Sequence, residues 1–158
     1  EFGSGAGCFA IGNTIITSGG VGIRLNACDN SLVMGNYIEG YEDCGIAIGD
    51  VNGASSNIIS NNHILNGNGT SYGIWVGENS HNTIINNNKI ESGLTKGIYI
   101  YDGDYSVIEG NFISDCTTGI ELTADSDRAL VLGNHVYRNT NKITNNGTNT
   151  TSEHNIIA

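Results

Sequence analysis

Short apolar stretches alternate with polar ones along the whole chain, and no run carries a helical period of any length. In "GIYI", Ile98 and Ile100 share one face while Tyr99 takes the other, the two-residue period of a strand. The same phrase recurs as GIRL, GIAI, GIWV, GIYI and GIEL. Its glycines are Gly22, Gly45, Gly73, Gly97 and Gly119, spaced 23, 28, 24 and 22 residues apart. A second phrase, Asn-x-Ile or Asn-x-Val, recurs independently at Asn13, Asn36, Asn62, Asn88, Asn111 and Asn134, with spacings of 23, 26, 26, 23 and 23. Two anchors with one period predict a solenoid. Each repeat supplies three short strands separated by turns rich in Gly, Asn, Asp and Ser. A leucine-rich repeat shares the period, but Leu is scarce here.

The period assigns places. Ile15, Ile38, Ile64, Ile90, Ile113 and Val136 follow each Asn by two residues and form one interior stack. Val33, Ile59, Ile85, Ile108 and Val131 precede it by three and form another. The Asn column falls at the corner between the second and third strands. There each side chain can bond its own turn and the Asn of the next coil, satisfying corner amides that would otherwise be buried unpaired. The repeated Gly is expected to serve the tight turn from the preceding coil.

These repeats resemble the right-handed parallel β-helix of the pectate-lyase-like superfamily, in particular the generic repeats of exported bacterial, archaeal and phage proteins. The resemblance spans roughly Cys8 to Ala158. It implies an all-β, single-stranded right-handed solenoid of about six coils, with three parallel sheets and an Asn ladder at one corner. It also implies an extracellular, cell-surface or phage-virion location, as in tailspikes. Residues 1–5 read as a cloning scar or linker, and residues 6–158 as the β-helix domain. The C-terminal "NKITNNGTNTTSEHNIIA" reads as a polar partial coil. With no capping helix at either end, the domain is expected to be a module of a longer chain or to hide its ends in an assembly.

Outward columns carry the functional information. Phe9, Leu32, Ile58, Ile84, Val107 and Leu130 point away from the core by alternation, with Ile11, Met34 and Leu132 extending the stripe, yet all are apolar. Self-association through this second sheet, as in trimeric spikes, is one reading. Burial by a tilted strand or by a segment outside the sequence is the other. Outside the first sheet lie Arg24, Ala47, Trp75, Tyr99 and Glu121, flanked by Tyr101 and by the turn acids Asp50, Glu78 and Asp102. Flat aromatic faces beside hydrogen-bonding acids suit a sugar ring, although outward aromatics also pair simply for sheet stability. If the groove is catalytic, Glu121 and Asp102 are the carboxylates that would share a glycosidic bond.

The motifs of the superfamily's enzymes are mostly missing. There is no Asp-Asp or Gly-His-Gly as in polygalacturonases, and a chain without proline cannot hold the Asp-Pro-His of mannuronan epimerases. The only basic residue expected in the outward column of the groove is Arg24, three coils from Tyr99, so the Arg or Lys base of pectate lyases has no clear counterpart. Lys96 is expected at the corner opposite the acidic turn. The four histidines read as separate surface residues. No cofactor is expected, save calcium at Asp102, Asp104, Asp125 and Asp127, which lie in turns of adjacent coils.

Charge narrows the partners further. The net charge of −10 argues against nucleic acid, which requires basic patches, and mildly against a strongly anionic glycan without a bridging cation. No apolar run approaches a membrane span. The four cysteines lack zinc spacing; Cys8 and Cys28, on neighbouring coils, are the one pair that can meet. Two functions stand: a module that binds or processes polysaccharide, and a rigid assembly module that oligomerises through its apolar face. An ice-binding face would need a regular Thr array, and the outward Thr residues are scattered.

Overall fold

The computed structural model describes residues 5–158 apart from 17–18, 50–51 and 69. Among them every regular element is a strand, and all strand pairings are parallel, between successive coils. The first sheet stacks Val21–Leu25, Cys44–Ile48, Tyr72–Val76, Lys96–Ile100, Thr118–Leu122 and Asn141–Asn145. The second runs from Phe9–Ile11 to Thr151–Glu153, and the third from Thr14–Ile16 to Ile156–Ile157, each with seven strands. A two-residue strand, Gly5–Ala6, pairs with Cys28–Asp29 at the N-terminal edge. The architecture is the parallel β-helix that the period predicts.

The interior is a set of aliphatic stacks. Ile46 and Ile48, Ile74 and Val76, Ile98 and Ile100 point inward from the first sheet and are fully buried, as are Ile59, Ile85 and Ile108 from the second. Ile38, Ile64, Ile90 and Ile113 complete the third wall. Each such side chain contributes about 1.5–3 kcal/mol of burial, repeated coil after coil.

The Asn corner is a continuous ladder. Nδ2 of Asn13, Asn36, Asn62, Asn88, Asn111 and Asn134 donates to Oδ1 of the next Asn at 2.9–3.0 Å. That same Oδ1 accepts the backbone N–H of the preceding rung, as in Asn62 N to Asn88 Oδ1 at 3.0 Å. The second Nδ2 hydrogen reaches a carbonyl of the preceding coil, as in Asn88 to Ile59 at 2.9 Å. All four bonding positions of an internal rung are therefore filled. The residue before each rung, Gly12, Gly35, Asn61, Asn87, Gly110 or Gly133, has φ between +54° and +67°. The corner thus needs a left-handed residue, which explains the recurring Gly-Asn and Asn-Asn pairs.

Two details differ from the sequence expectation. The ladder runs one rung further, to Asn155, and the polar C-terminal stretch contributes strands to all three sheets. Its apolar positions are few and less covered than in the other coils: Ile143 is half-buried and Ile157 exposed. The Gly anchors are also required for a different reason. None has a positive φ. Instead, a Cβ on Gly73 would lie 2.5 Å from the carbonyl of Gly97, and one on Gly97 would lie 2.6 Å from that of Gly119. The column is glycine because successive coils touch there.

Candidate functional site

The outer column of the first sheet forms in the expected register: Arg24 pairs with Ala47, Ala47 with Trp75, Trp75 with Tyr99 and Tyr99 with Glu121. The structure adds residues that alternation assigns to the inside. Pairing goes from Tyr72 and Lys96 directly to Ile74 and Ile98, passing over the glycines, and at this irregularity Tyr72 and Lys96 turn outward. Tyr72 packs on Tyr99 with ring centroids 5.2 Å apart, and Tyr99 meets Tyr101 at 6.2 Å. With Trp75 beside them, these rings make an aromatic surface crossing adjacent coils. Reading the Gly anchor as a close-contact point, and the residue before it as displaced, would have found both.

Lys96, at the start of its strand and opposite the acidic turn that follows the strand's end as expected, is the electrostatic centre of this face. Its Nζ lies 3.3 Å above the Tyr99 ring centroid and 5.5 Å from that of Tyr72, and it donates to Glu121 Oε1 at 2.9 Å. Both charged groups are largely shielded, with 16% and 22% of their side chains exposed, so the pair is stronger than a surface ion pair. Burial raises the Tyr99 hydroxyl above its ordinary pKa, and Glu121 and Tyr101 add to the shift.

A depression of about 320 Å³ lies at the near end of the column, lined by Val21, Arg24, Asp43, Thr70, Tyr72 and Trp75. The small Ala47 between Arg24 and Trp75 is fully covered. The indole N–H of Trp75 is also covered and has no acceptor among the described residues.

The turn acids act as braces between coils. Asp102 Oδ2 accepts the N–H of Asn79 at 3.1 Å, and Asp104 Oδ1 accepts that of Asp127 at 2.8 Å. Asp127 accepts from Asn149 and Thr148, and these bonds, the Asn149 one foremost, hold its carboxyl below the usual range. No contact joins Glu121 to Asp102: the first is bonded to Lys96, the second to a neighbouring turn. Glu78 and Asp125 are exposed, and Asp50 lies outside the described residues. Of the four carboxylates considered for calcium, Asp102 and Asp104 converge, and their third member is His81 rather than Asp125 or Asp127. His81 Nδ1 already accepts the Asp104 N–H at 3.2 Å.

The second sheet presents its apolar stripe as expected. Phe9, Ile11, Ile58, Ile84 and Leu130 are exposed, and Leu32, Met34, Val107 and Leu132 half-exposed. Leu32, Ile58, Ile84, Val107 and Leu130 are consecutive register partners.

With this geometry in hand, the chain can be compared with known proteins. The family model described as "Periplasmic copper-binding protein (NosD)" matches residues 5–157. The crystal structure of the periplasmic alginate epimerase AlgG superposes with a TM-score of 0.80 at 14% identity, covering 97% of this chain. An alginate lyase from Paenibacillus sp. str. FPU-7 superposes with a TM-score of 0.50 at 18% identity, covering 97% of this chain and 76% of its own. At these identities the likeness is one of fold, and the chain spans 40% of the epimerase's length. No curated sequence matches.

The family description names copper, and the described residues do not fit that ion. His63 is bonded to Glu91, His135 packs on Phe112 and His154 lies in an exposed turn, so no two histidines share a site. The one three-membered grouping offers a single imidazole and two carboxylates, where copper favours several nitrogen or sulfur donors. The sulfurs of Cys8 and Cys28 touch each other at 3.2 Å rather than flanking a gap.

Proposed function

The chain belongs to the NosD family, and from that premise we propose that it is an exported β-helix module that binds polysaccharide on the aromatic outer face of its first sheet. The observation that carries this reading is the run of Trp75, Tyr72, Tyr99 and Tyr101 across adjacent coils, beside a polar-edged depression. Coils about 4.8 Å apart present successive rings to a chain of sugars, whose C–H faces pack on aromatics. Arg24, Asp43 and Thr70 offer donors and acceptors to the hydroxyls. The epimerase and lyase of like fold are named for alginate, and NosD and AlgG are both described as periplasmic; both facts support the reading. Binding is favoured over bond cleavage because Glu121 is neutralised by Lys96 and Asp102 braces a turn.

Retention of the protein on a panel of immobilised polysaccharides tests this. At least one polymer should retain it, and Trp75→Ala or Tyr99→Ala should weaken that binding about tenfold. Loss of one aromatic contact at about 1.4 kcal/mol corresponds to that factor. Failure of every polymer to bind, or full retention by Trp75→Ala, would overturn the proposal.

The register-paired, exposed or half-exposed stripe of Leu32, Ile58, Ile84, Val107 and Leu130 favours a second reading, an assembly module that associates, for example as a trimer, through the second sheet. Light scattering of the wild type against Leu32→Asp and Ile84→Asp tests it. A monomer whose solubility these changes leave untouched would remove it.

A further inference from the structure

The N-terminal edge holds a pair of thiols in contact. Cys8 Sγ lies 3.2 Å from Cys28 Sγ, and the two residues sit on adjacent coils, 20 positions apart. The backbone around Cys8 is fixed on both sides: its N–H donates to Ser31 Oγ at 3.0 Å and its carbonyl accepts the N–H of Leu32 at 2.9 Å. Cys28 is anchored by strand pairing with Gly5 and donates weakly to the carbonyl of Asn26 at 3.6 Å. With both backbones held by neighbouring strands, closure asks the sulfurs to move from 3.2 Å to a bond length of about 2.05 Å. The two thiols differ in access. Cys8 is partly exposed, whereas Cys28 is fully buried.

We propose that Cys8 and Cys28 are a site of selective oxidation, closing to a disulfide that clasps the first described coil to the second. The co-reactant is a disulfide, small-molecule or protein, of the kind met outside the cytosol. The Cys8 thiolate attacks one sulfur of that disulfide, expelling a thiolate and leaving a mixed disulfide on Cys8. Cys28 then loses its proton to solvent and attacks the Cys8 sulfur, expelling the second thiolate. Two protein thiols are oxidised, one external disulfide is reduced to two thiols, and the new S–S bond joins adjacent coils. Burial, and next the hydrogen bond with Cys8, push the Cys28 thiol up to about 11, which makes the second step the slower one and faster at alkaline pH. Cys44 and Cys116 are buried along the solenoid, and burial pushes the Cys116 thiol up to about 12. Cys44 opens the strand Cys44–Ile48 and Cys116 precedes Thr118–Leu122, three coils or about 14 Å along the stack, too far to bridge, so disulfide formation is confined to one pair.

The test is thiol titration and peptide mapping of the folded protein after incubation with oxidised glutathione. Two of the four thiols should be lost and the intact mass should fall by two hydrogens. A single Cys8–Cys28 cross-linked peptide should appear, and the thermal midpoint should rise and return on reduction. A Cys44→Ser/Cys116→Ser variant should lose both remaining thiols, whereas Cys8→Ser should form no bridge. Four intact thiols after incubation, a bridge mapped to Cys44 or Cys116, or a mixed disulfide on Cys8 that never resolves would each overturn the proposal. The wild-type map decides the matter even if a variant fails to fold.

Discussion

Asn88 lies mid-ladder, and Asn88→Ala tests directly what holds the coils in register. Its Oδ1 accepts the N–H of Asn62 at 3.0 Å and Asn62 Nδ2 at 2.9 Å. Its Nδ2 donates to Asn111 Oδ1 at 3.0 Å and to the Ile59 carbonyl at 2.9 Å. Asn111 Oδ1 keeps a partner after the change, because the backbone N–H of residue 88 still reaches it at 2.9 Å. Asn62 does not. Its N–H and one amide hydrogen are left buried without an acceptor, each costing about 1–3 kcal/mol, and the small void adds to this. A loss of about 4 kcal/mol follows, a large share of the roughly 5–15 kcal/mol that stabilises a domain. Asn155→Ala likewise removes the one oxygen that accepts two hydrogen bonds from Asn134. Asn155, however, is half-exposed in the last coil, so water can take its place and the cost should be about 1 kcal/mol. Urea unfolding followed by far-ultraviolet circular dichroism at pH 7 measures both. Equal losses for the two variants, or a loss below about 1 kcal/mol for Asn88→Ala, would refute the reasoning that buried amide satisfaction holds the corner.

Other perturbations address other contacts. Gly97→Ala should cost more than about 3 kcal/mol or prevent folding, because its Cβ would meet Ile113 Cγ2 at 2.4 Å and a backbone oxygen at 2.6 Å. Gly12→Ala, with open space and φ of +67°, should cost only about 1 kcal/mol; thermal melts compare them. Lys96→Met strands a shielded Glu121 and should cost about 1–2 kcal/mol, between the values for exposed and buried pairs. Adding Glu121→Gln should restore part of that loss in a double-mutant cycle. The Glu91 carboxyl is held below its ordinary pKa chiefly by the Lys89 ammonium, with His63 adding to it. Its stabilisation is therefore complete above the unfolded value near pH 4.3 and disappears as pH falls through the lower folded value. The advantage of the wild type over Glu91→Gln should follow that course, and an advantage unchanged in acid would contradict it.

The fold was legible because a solenoid writes its constraints once per coil. Each Asn must bond the next Asn, each inward Ile must fill one layer, and each Gly must clear the neighbouring coil, so the columns stand out by repetition alone. The outer face is less legible, since solvent-facing positions obey no such rule. Arg24, Ala47, Trp75, Tyr99 and Glu121 were placed correctly by register. Tyr72 and Lys96 escaped notice as members of this face, because strict alternation fails at the glycine between each of them and the aliphatic pair that follows. His81 looked solitary because its partners, Asp102 and Asp104, belong to the next coil's turn, more than 20 residues away. Two carboxylates close in the repeat pattern, Glu121 and Asp102, proved to be committed to different neighbours, which spacing alone cannot reveal.

Trp75 is the only tryptophan in the chain, so its fluorescence reports on the proposed sugar-binding face without a label. Titration with the polysaccharides that retain the protein should shift or quench this emission saturably, and Tyr99→Ala should move the midpoint about tenfold higher. Saturable binding that leaves the Trp75 emission unchanged would place the glycan elsewhere and contradict the account.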